Sequence, residues 1–360
     1  MLYNGNTLEQ AQSGCRLRKA ATFLFANKAM PLDFLGNLRY NTLEHNEKRY
    51  FKLQSKSNKL FTNPYFVTFA ALLCCALWGS ATPFIKIGYE LILPVRNVPS
   101  TILFAGIRFF LAGILTILIY SIARRKFLLP QKQNWSKVLN VSAFQTVLQY
   151  IFFYIGLANT SGVKGTVISG CNVFCSILIA SLLFRQEKLT AKKIIACIVG
   201  FAGIILINMN GLDFNMNFFG DGFVFFSTIC YGMSSTLIKI YSKDEDPVII
   251  SGYQFAIGGL LMAIGGLLFG GVIELSSAAA IGVLIYLAFL SAIAYSLWGV
   301  LLKFNSVSKV TVFSFMIPVF GVLLSSLLLS EQSNVSPINL IITLVLICTG
   351  ILLLNYKKEK

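Results

Sequence analysis

The sequence predicts an all-α integral membrane fold, with ten transmembrane helices arranged as two inverted five-helix repeats. Three observations carry this expectation. The 360-residue chain is 56% hydrophobic and only 12% charged, with a mean hydropathy of +0.73, whereas soluble domains carry about 25% charged residues. After residue 64 the apolar residues gather in ten runs, each close to the ~20 residues that cross a bilayer. The pattern of the first five runs then returns in the second five.

The runs lie at 66–87, 101–122, 136–157, 164–184, 192–209, 220–241, 248–270, 279–302, 309–329 and 337–355. Polar connections such as RRKFLLPQKQNW at 124–135 and NMNGLDFNMN at 208–217 separate them. Ahead of them, residues 1–64 form a basic extension that is expected to be poorly ordered. It holds ten Lys/Arg, the single histidine His45 and no run long enough to span a bilayer. The segment at 20–36, AATFLFANKAMPLDFLG, has the composition of a short interfacial helix. No small-residue cleavage site follows a compact apolar core, so the extension does not read as a cleaved signal.

The first run carries LWGSATPFIKIGYE at 77–90, and a variant, CYGMSSTLIKI, stands at 230–240. At an offset of 153, Trp78 falls on Tyr231, Gly79 on Gly232, Thr82 on Ser235 and Lys86 on Lys239. Residues four apart share a helix face, so Trp78, Thr82 and Lys86 form a stripe that Tyr231, Ser235 and Lys239 repeat. The second run answers in kind. AGIRFFLAGIL at 105–115 matches SGYQFAIGGLL at 251–261, with Gly106 on Gly252, Arg108 on Gln254, Phe109 on Phe255 and Gly113 on Gly259. Glu187 answers Glu331, and GIILIN at 203–208 answers GILLLN at 350–355. The repeats therefore occupy 65–210 and 211–356, with a basic tail at 357–360.

Charge assigns the sides. One set of connections holds ten Lys/Arg in the N-terminal extension, five in 123–137, four in 185–193, two in 239–243, two in 303–309 and three in 357–360. The other set holds only Arg96 and Lys164. The positive-inside rule places the first set, and with it both termini, in the cytoplasm, and the membrane is expected to be the cell membrane. Five spans per unit is an odd number, so the second copy is inverted relative to the first. Transporters commonly use such repeats around a midplane site.

At this point the residues resemble a known family. LWGSATPFIKIGYE, then AGIRFFLAGIL, then YIFFYIGLANTSGVKGTVISGCNVFCSILIASLLFRQEKLT, and SVSKVTVFSFMIPVFGVLLSSLLLSEQ at 306–332, are together similar to the EamA-type transporters of the drug/metabolite transporter superfamily. The resemblance covers about 65–356. It implies two inverted five-helix repeats around a central cavity, and export or exchange of small metabolites. Two departures stand out. The proline that the family places near the end of the ninth helix is Pro318, but the first repeat has Phe174 there, and Gln254 replaces the second copy of Arg108.

Ionisable groups within a span are costly and usually face protein or a cavity. Lys86 and Arg108 are the two cations inside runs, and no Asp or Glu lies mid-span to neutralise them. Each therefore has two readings: snorkelling, or for Arg108 also a bond to helix carbonyls, against the anchoring of an anionic solute such as a carboxylate. Trp78 and Tyr231 either pack or stack on a substrate ring. Gln145, Gln149, Asn172, Gln254, Tyr295 and Trp298 are either interhelical hydrogen-bonding groups or, as a set, the polar lining of a lumen. Gly162, Thr166, Ser169, Val173, Ser176 and Ala180 form a small-residue face expected to pack between the repeats. Seven of the eight cysteines sit in apolar runs and read as packing residues.

These observations narrow the function classes. A membrane enzyme needs a nucleophile–base set or a metal cluster. The only histidine lies in the extension and no two acids are placed to act together, so neither catalytic nor metal-binding residues are assigned and no cofactor is expected. Proton coupling through a buried carboxylate is disfavoured, which leaves facilitated diffusion, exchange or another coupling route. The expected function is a multi-pass carrier of small organic metabolites, amino-acid-like solutes favoured, working by alternating access. A lipid-binding or sensory membrane protein that reads anionic headgroups through the basic extension is the alternative. The partners expected are a small-molecule substrate and the lipid bilayer. Homodimerisation is compatible with both, and nucleic acid is not expected.

Overall fold

Short polar side chains open most of the helices in the computed structural model, which describes residues 59–209, 215–328 and 337–355. The readings made on His45, the 20–36 segment, Glu331 and the 357–360 tail lie outside these residues. The ten membrane-length helices are α1 (Pro64–Ile92), α2 (Val98–Arg124), α3 (Lys132–Ala158), α4 (Gly162–Leu183), α5 (Ala191–Asn208), α6 (Phe218–Tyr241), α7 (Pro247–Leu268), α8 (Ala278–Phe304), α9 (Val307–Leu328) and α10 (Ile338–Asn355). Several start ahead of the apolar run that predicts them, because a capping residue sits upstream. Asn63 accepts from the Tyr65 and Phe66 amides ahead of α1, and Asn97 accepts from Ser100 ahead of α2. Ser161, Thr190, Asp246 and Ser277 do the same for α4, α5, α7 and α8. Each satisfies amides that have no partner within the helix.

Side-chain bonds sort the connections onto two ends, and the sorting matches the charge split. At the basic end, Lys137 pairs with Asp244 at 2.7 Å. The Gln131 amide donates to Glu245 at 2.8 Å, Lys239 to the Lys303 carbonyl at 2.9 Å, and Asn305 to the Phe61 carbonyl at 2.9 Å. At the opposite end, the Glu274 amide donates to the Ile92 carbonyl at 2.8 Å and Val272 to Ser100 at 3.0 Å. There Lys164 meets Asp221 at 3.1 Å, with the carboxylate wholly buried. Asp221 also accepts from the Thr160 hydroxyl and the Asn217 amide. Changing Asp221 to Asn strands the Lys164 charge and should cost about 3 kcal/mol or more. The double variant Asp221→Asn/Lys164→Met should recover most of the loss, as read by thermal melting in detergent.

With the ends fixed, α1 leaves the basic end while α6 approaches it, and α2 approaches it while α7 leaves it. Equivalent helices run in opposite directions. Their packing is reciprocal as well. A Cβ on Gly106 would strike Ala263 and the Gly259 carbonyl, and one on Gly259 would strike Phe110 and the Gly106 carbonyl. Gly113 faces Gly252 and Ala256 in the same way. Gly106 with Gly252, and Gly113 with Gly259, are the pairs that the repeat equates, so each glycine packs on its counterpart's neighbour. The outer pair α5 and α10 repeats the design, with Gly203 against Thr343 and Ile347, and Gly350 against Ala196 and Gly200. Between α2 and α7 the equivalent rings Phe109 and Phe255 stack 5.1 Å apart and 2° from parallel. A twofold axis across the helices would impose contacts of this kind.

Not every span is a plain α-helix. The apolar run at 164–184 predicts one continuous helix, but α4 breaks at Gly170 and Cys171, and the helix resumes at Asn172. At an offset of 144, α9 tightens into a 3-10 turn over Val312–Phe315 and resumes as α-helix at Met316. The interruptions fall at equivalent places. Segment Ser142–Leu148 of α3 widens into a π-helical turn, a feature that recurs at functional sites. On the small-residue face of α4, Val173, Ser176 and Ala180 are buried, and Ser176 lies against Gly232 of α6. Gly162 is exposed, while Thr166 and Ser169 are partly exposed, so that face packs over its basic-end half only.

Candidate functional site

Rings from five helices meet at the centre of the protein. Trp78 of α1 makes edge contacts with Trp298 and Tyr295 of α8, each at 4.9 Å between centroids. Tyr295 meets Phe255 of α7 at 4.8 Å, Phe255 stacks on Phe109 of α2, and Phe109 meets Tyr150 of α3 at 4.4 Å. The Tyr150 and Tyr295 hydroxyls close the circuit with a 2.5 Å hydrogen bond. Aromatic pairs in this geometry contribute about 0.5–1.5 kcal/mol beyond the area they bury.

Next to each of the two stacked phenylalanines stands one candidate. Arg108 is 4% exposed. Its guanidinium carbon lies 4.3 Å from the Phe109 ring centre, and Tyr89, Tyr150 and Tyr295 lie within its field. Its Nε has no hydrogen-bond partner. Among the described residues no carboxylate lies within ion-pair distance of it. A side chain this buried faces protein and not the surface of the helical bundle. Gln254, its counterpart in the second repeat, is fully buried. Its Oε1 accepts from Thr146 at 2.5 Å and its backbone carbonyl from Ser142 at 2.9 Å, while its Nε2 has no partner.

Unpartnered buried polar atoms recur across the set. Besides Arg108 and Gln254 they include the Trp78 and Trp298 indole nitrogens and Oε1 of Gln145 and Gln149. Six of the ten candidates thus carry an unsatisfied donor or acceptor. A buried polar group left unmade costs about 1–3 kcal/mol, and sites built to bind a polar solute hold such groups ready for it.

The remaining candidates lie at the margins. Tyr231 is buried one layer toward the basic end, 3.4 Å from the Ser314 hydroxyl. Asn172 is half-buried and heads the second segment of α4. Lys86 is exposed, two turns beyond Trp78 on the face of α1 that carries Thr82. Tyr150, Phe109 and Phe255 are central and were not among the expected site residues. The repeat marks the two phenylalanines as equivalents, a signal that they share an axis, while Tyr150 has nothing to set it apart from the aromatic run around it. Two hollows, one between α3 and α7 at Leu139, Val147 and Leu261 and one at Ser181–Leu189, are peripheral and contain none of the ten. Changing Tyr150 or Tyr295 to Phe removes one hydrogen bond. Each variant should lose about 1 kcal/mol of stability, and the double variant no more than either single one, in a thermal-melting cycle.

The two halves are unequally covered. Thr82 and Lys86 of α1 are exposed, whereas their counterparts Ser235 and Lys239 of α6 are buried and half-buried. Thr166, Ser169 and Asn172 of α4 are half-exposed, whereas Val310, Phe313 and Met316 of α9 are buried. The equivalent faces are thus buried toward the basic end and more exposed toward the other.

The profile of the EamA-like transporter family matches residues 66–209 and 218–356, one copy per repeat. The chain is 26% identical over 267 residues to an uncharacterized transporter of Archaeoglobus fulgidus, covering 72% of this chain and 88% of that protein. It is 25% identical over 287 residues to the Bacillus subtilis uncharacterized transporter YvbV, covering 79% and 89%. A WAT1-related chloroplastic protein of Arabidopsis thaliana is 25% identical over 283 residues, covering 75% and 66%. One solved crystal structure superposes with a TM-score of 0.66 at 17% identity, covering 80% of this chain and 96% of the other, a likeness of fold.

Proposed function

Because the chain belongs to the EamA-like transporter family, and so is a multi-pass membrane transporter, we propose that it moves small carboxylate-bearing metabolites, amino-acid-like solutes favoured. It does so by export or exchange across the cell membrane, with both termini in the cytoplasm and two inverted repeats alternating around the aromatic centre. It acts as a carrier and not as an enzyme. The observation that supports the substrate class is Arg108: a buried cation with no carboxylate near it among the described residues. A buried charge is tolerable when something pairs with it, and an anionic solute supplies that partner. The indole N–H groups of Trp78 and Trp298 add donors, and the rings offer faces for the apolar part of the solute.

The direct test is uptake and counterflow in proteoliposomes with labelled amino acids, nucleosides, sugars and a cationic dye, with and without a pH gradient. Saturable flux confined to carboxylate-bearing solutes is the expected result. Flux of the dye or of neutral sugars alone would overturn the substrate class. No flux across the panel from folded protein would favour the lipid-binding or sensory reading.

A further inference from the structure

We infer that Glu187 is the latch that seals the basic end of the transport path, and that releasing it opens that end. The inference rests on the transport reading above, but its test needs no substrate. Glu187 follows α4, and its side chain is only 8% exposed. One carboxylate oxygen accepts from the Ser308 amide at 3.1 Å, and the other accepts from the Ser308 hydroxyl at 2.8 Å. Lys193 of α5 lies 3.2 Å from the carboxylate, and Lys239 of α6 lies within its field. One acid thus ties the end of α4 to the start of α9, the equivalent helices of the two repeats, with a cation from α5 paired to it and another from α6 near enough to feel its charge.

Next to the tie, the start of α9 is buried. Val310, Phe313 and Phe315 of α9 are buried. The Cys75 thiol donates to the Phe313 carbonyl at 3.2 Å, and Tyr231 reaches Ser314. At the opposite end the residue equivalent to Ser308 is Lys164. Its amide is taken by Ser161 of its own helix start at 3.2 Å, and its ammonium by Asp221. On that side the equivalent layer, Thr166 to Asn172, stays half-exposed. Among the described residues the bridge between α4 and α9 and the burial next to it occur at the same end, which is the arrangement expected of a closure that forms at one end at a time. Charge-assisted hydrogen bonds to a buried carboxylate are among the stronger contacts a chain can break and remake in such a cycle.

The test uses the full chain in lipid nanodiscs and N-ethylmaleimide, with modification read peptide by peptide by mass spectrometry. Cys75, fully buried here, reports on the basic end. A cysteine placed by Thr82→Cys reports on the other. Against the Thr82→Cys background, Glu187→Gln should raise Cys75 labelling about tenfold and lower labelling at position 82, since opening one end closes the other. Ser308→Ala, which removes only the hydroxyl bond, should shift both in the same directions by a smaller factor and covers the case in which Glu187→Gln does not fold. Unchanged Cys75 labelling in both variants would overturn the latch. A rise at both positions together would also overturn it, since loosened packing and not alternation would be the cause.

Discussion

Replacing Arg108 with Gln should leave a folded protein whose proposed transport of carboxylate-bearing solutes is about 30-fold weaker, or worse. The size follows from removing one member of a buried charge pair, which costs about 2–5 kcal/mol when the other member is present. In the proposed function that other member is the solute, so the loss is expected in transport and not in folding. Stability should hold or rise, because the free protein no longer carries an unpaired buried cation. The measurement is counterflow in proteoliposomes beside a thermal melt of the same preparation. Arg108→Lys keeps the charge but not the planar fork and should recover part of the loss. Lys86→Ala is the contrasting case, because its side chain is exposed and exposed ion pairs are worth under about 1 kcal/mol. Its effect should be a few-fold. Equal and severe losses in both variants would mean that the buried group and Lys86 act on the solute together.

Gly259→Leu should abolish the folded protein. A Cβ at this position would meet the Phe110 backbone and the Gly106 carbonyl, and none of these atoms sits at the end of a flexible side chain. Overpacking a core with adaptable neighbours costs about 1–3 kcal/mol; here the neighbour is a helix backbone and α2 and α7 must part. Gly106→Leu should fail likewise, because the contact is reciprocal. Gly265→Ala, where a Cβ meets nothing within 4 Å, should be tolerated and gain about 0.5–1 kcal/mol from helix propensity. Size-exclusion profiles of the three variants in detergent would separate these outcomes. A monodisperse Gly259→Leu protein would show that the two helices do not approach as closely as described.

The sequence makes the fold legible and the site legible only in part. Ten apolar runs, the asymmetric Lys/Arg distribution and the offsets between repeats are one-dimensional signals, and the helices follow them to within a few residues. The helix starts were visible in principle, since Asn63, Asn97, Thr190 and Ser277 are capping residues just ahead of apolar runs. The break at Gly170 and Cys171 was not, because a run with no proline and unbroken hydropathy reads as one helix. Arg108 and Gln254 could be found because a polar residue in an apolar run has to be accounted for. Tyr150 could not. Its role depends on a hydroxyl meeting Tyr295 across two helices, and the chain is rich enough in aromatics that one more carries no information. Lys86 lies on the same stripe as Trp78, and the sequence could not tell that the packing leaves its side chain exposed.

The replacement of the second arginine by Gln254 gives the centre a polarity that its near-symmetric scaffold lacks. Two arginines, one on either side of the stacked Phe109 and Phe255, would offer a cargo two equal ways to lie. With a single cation, the electric field at the axis points from one half of the chain toward the other. For the proposed carrier of anionic solutes, the expected consequence is that the cargo's negative end keeps one orientation while the walls around it change places.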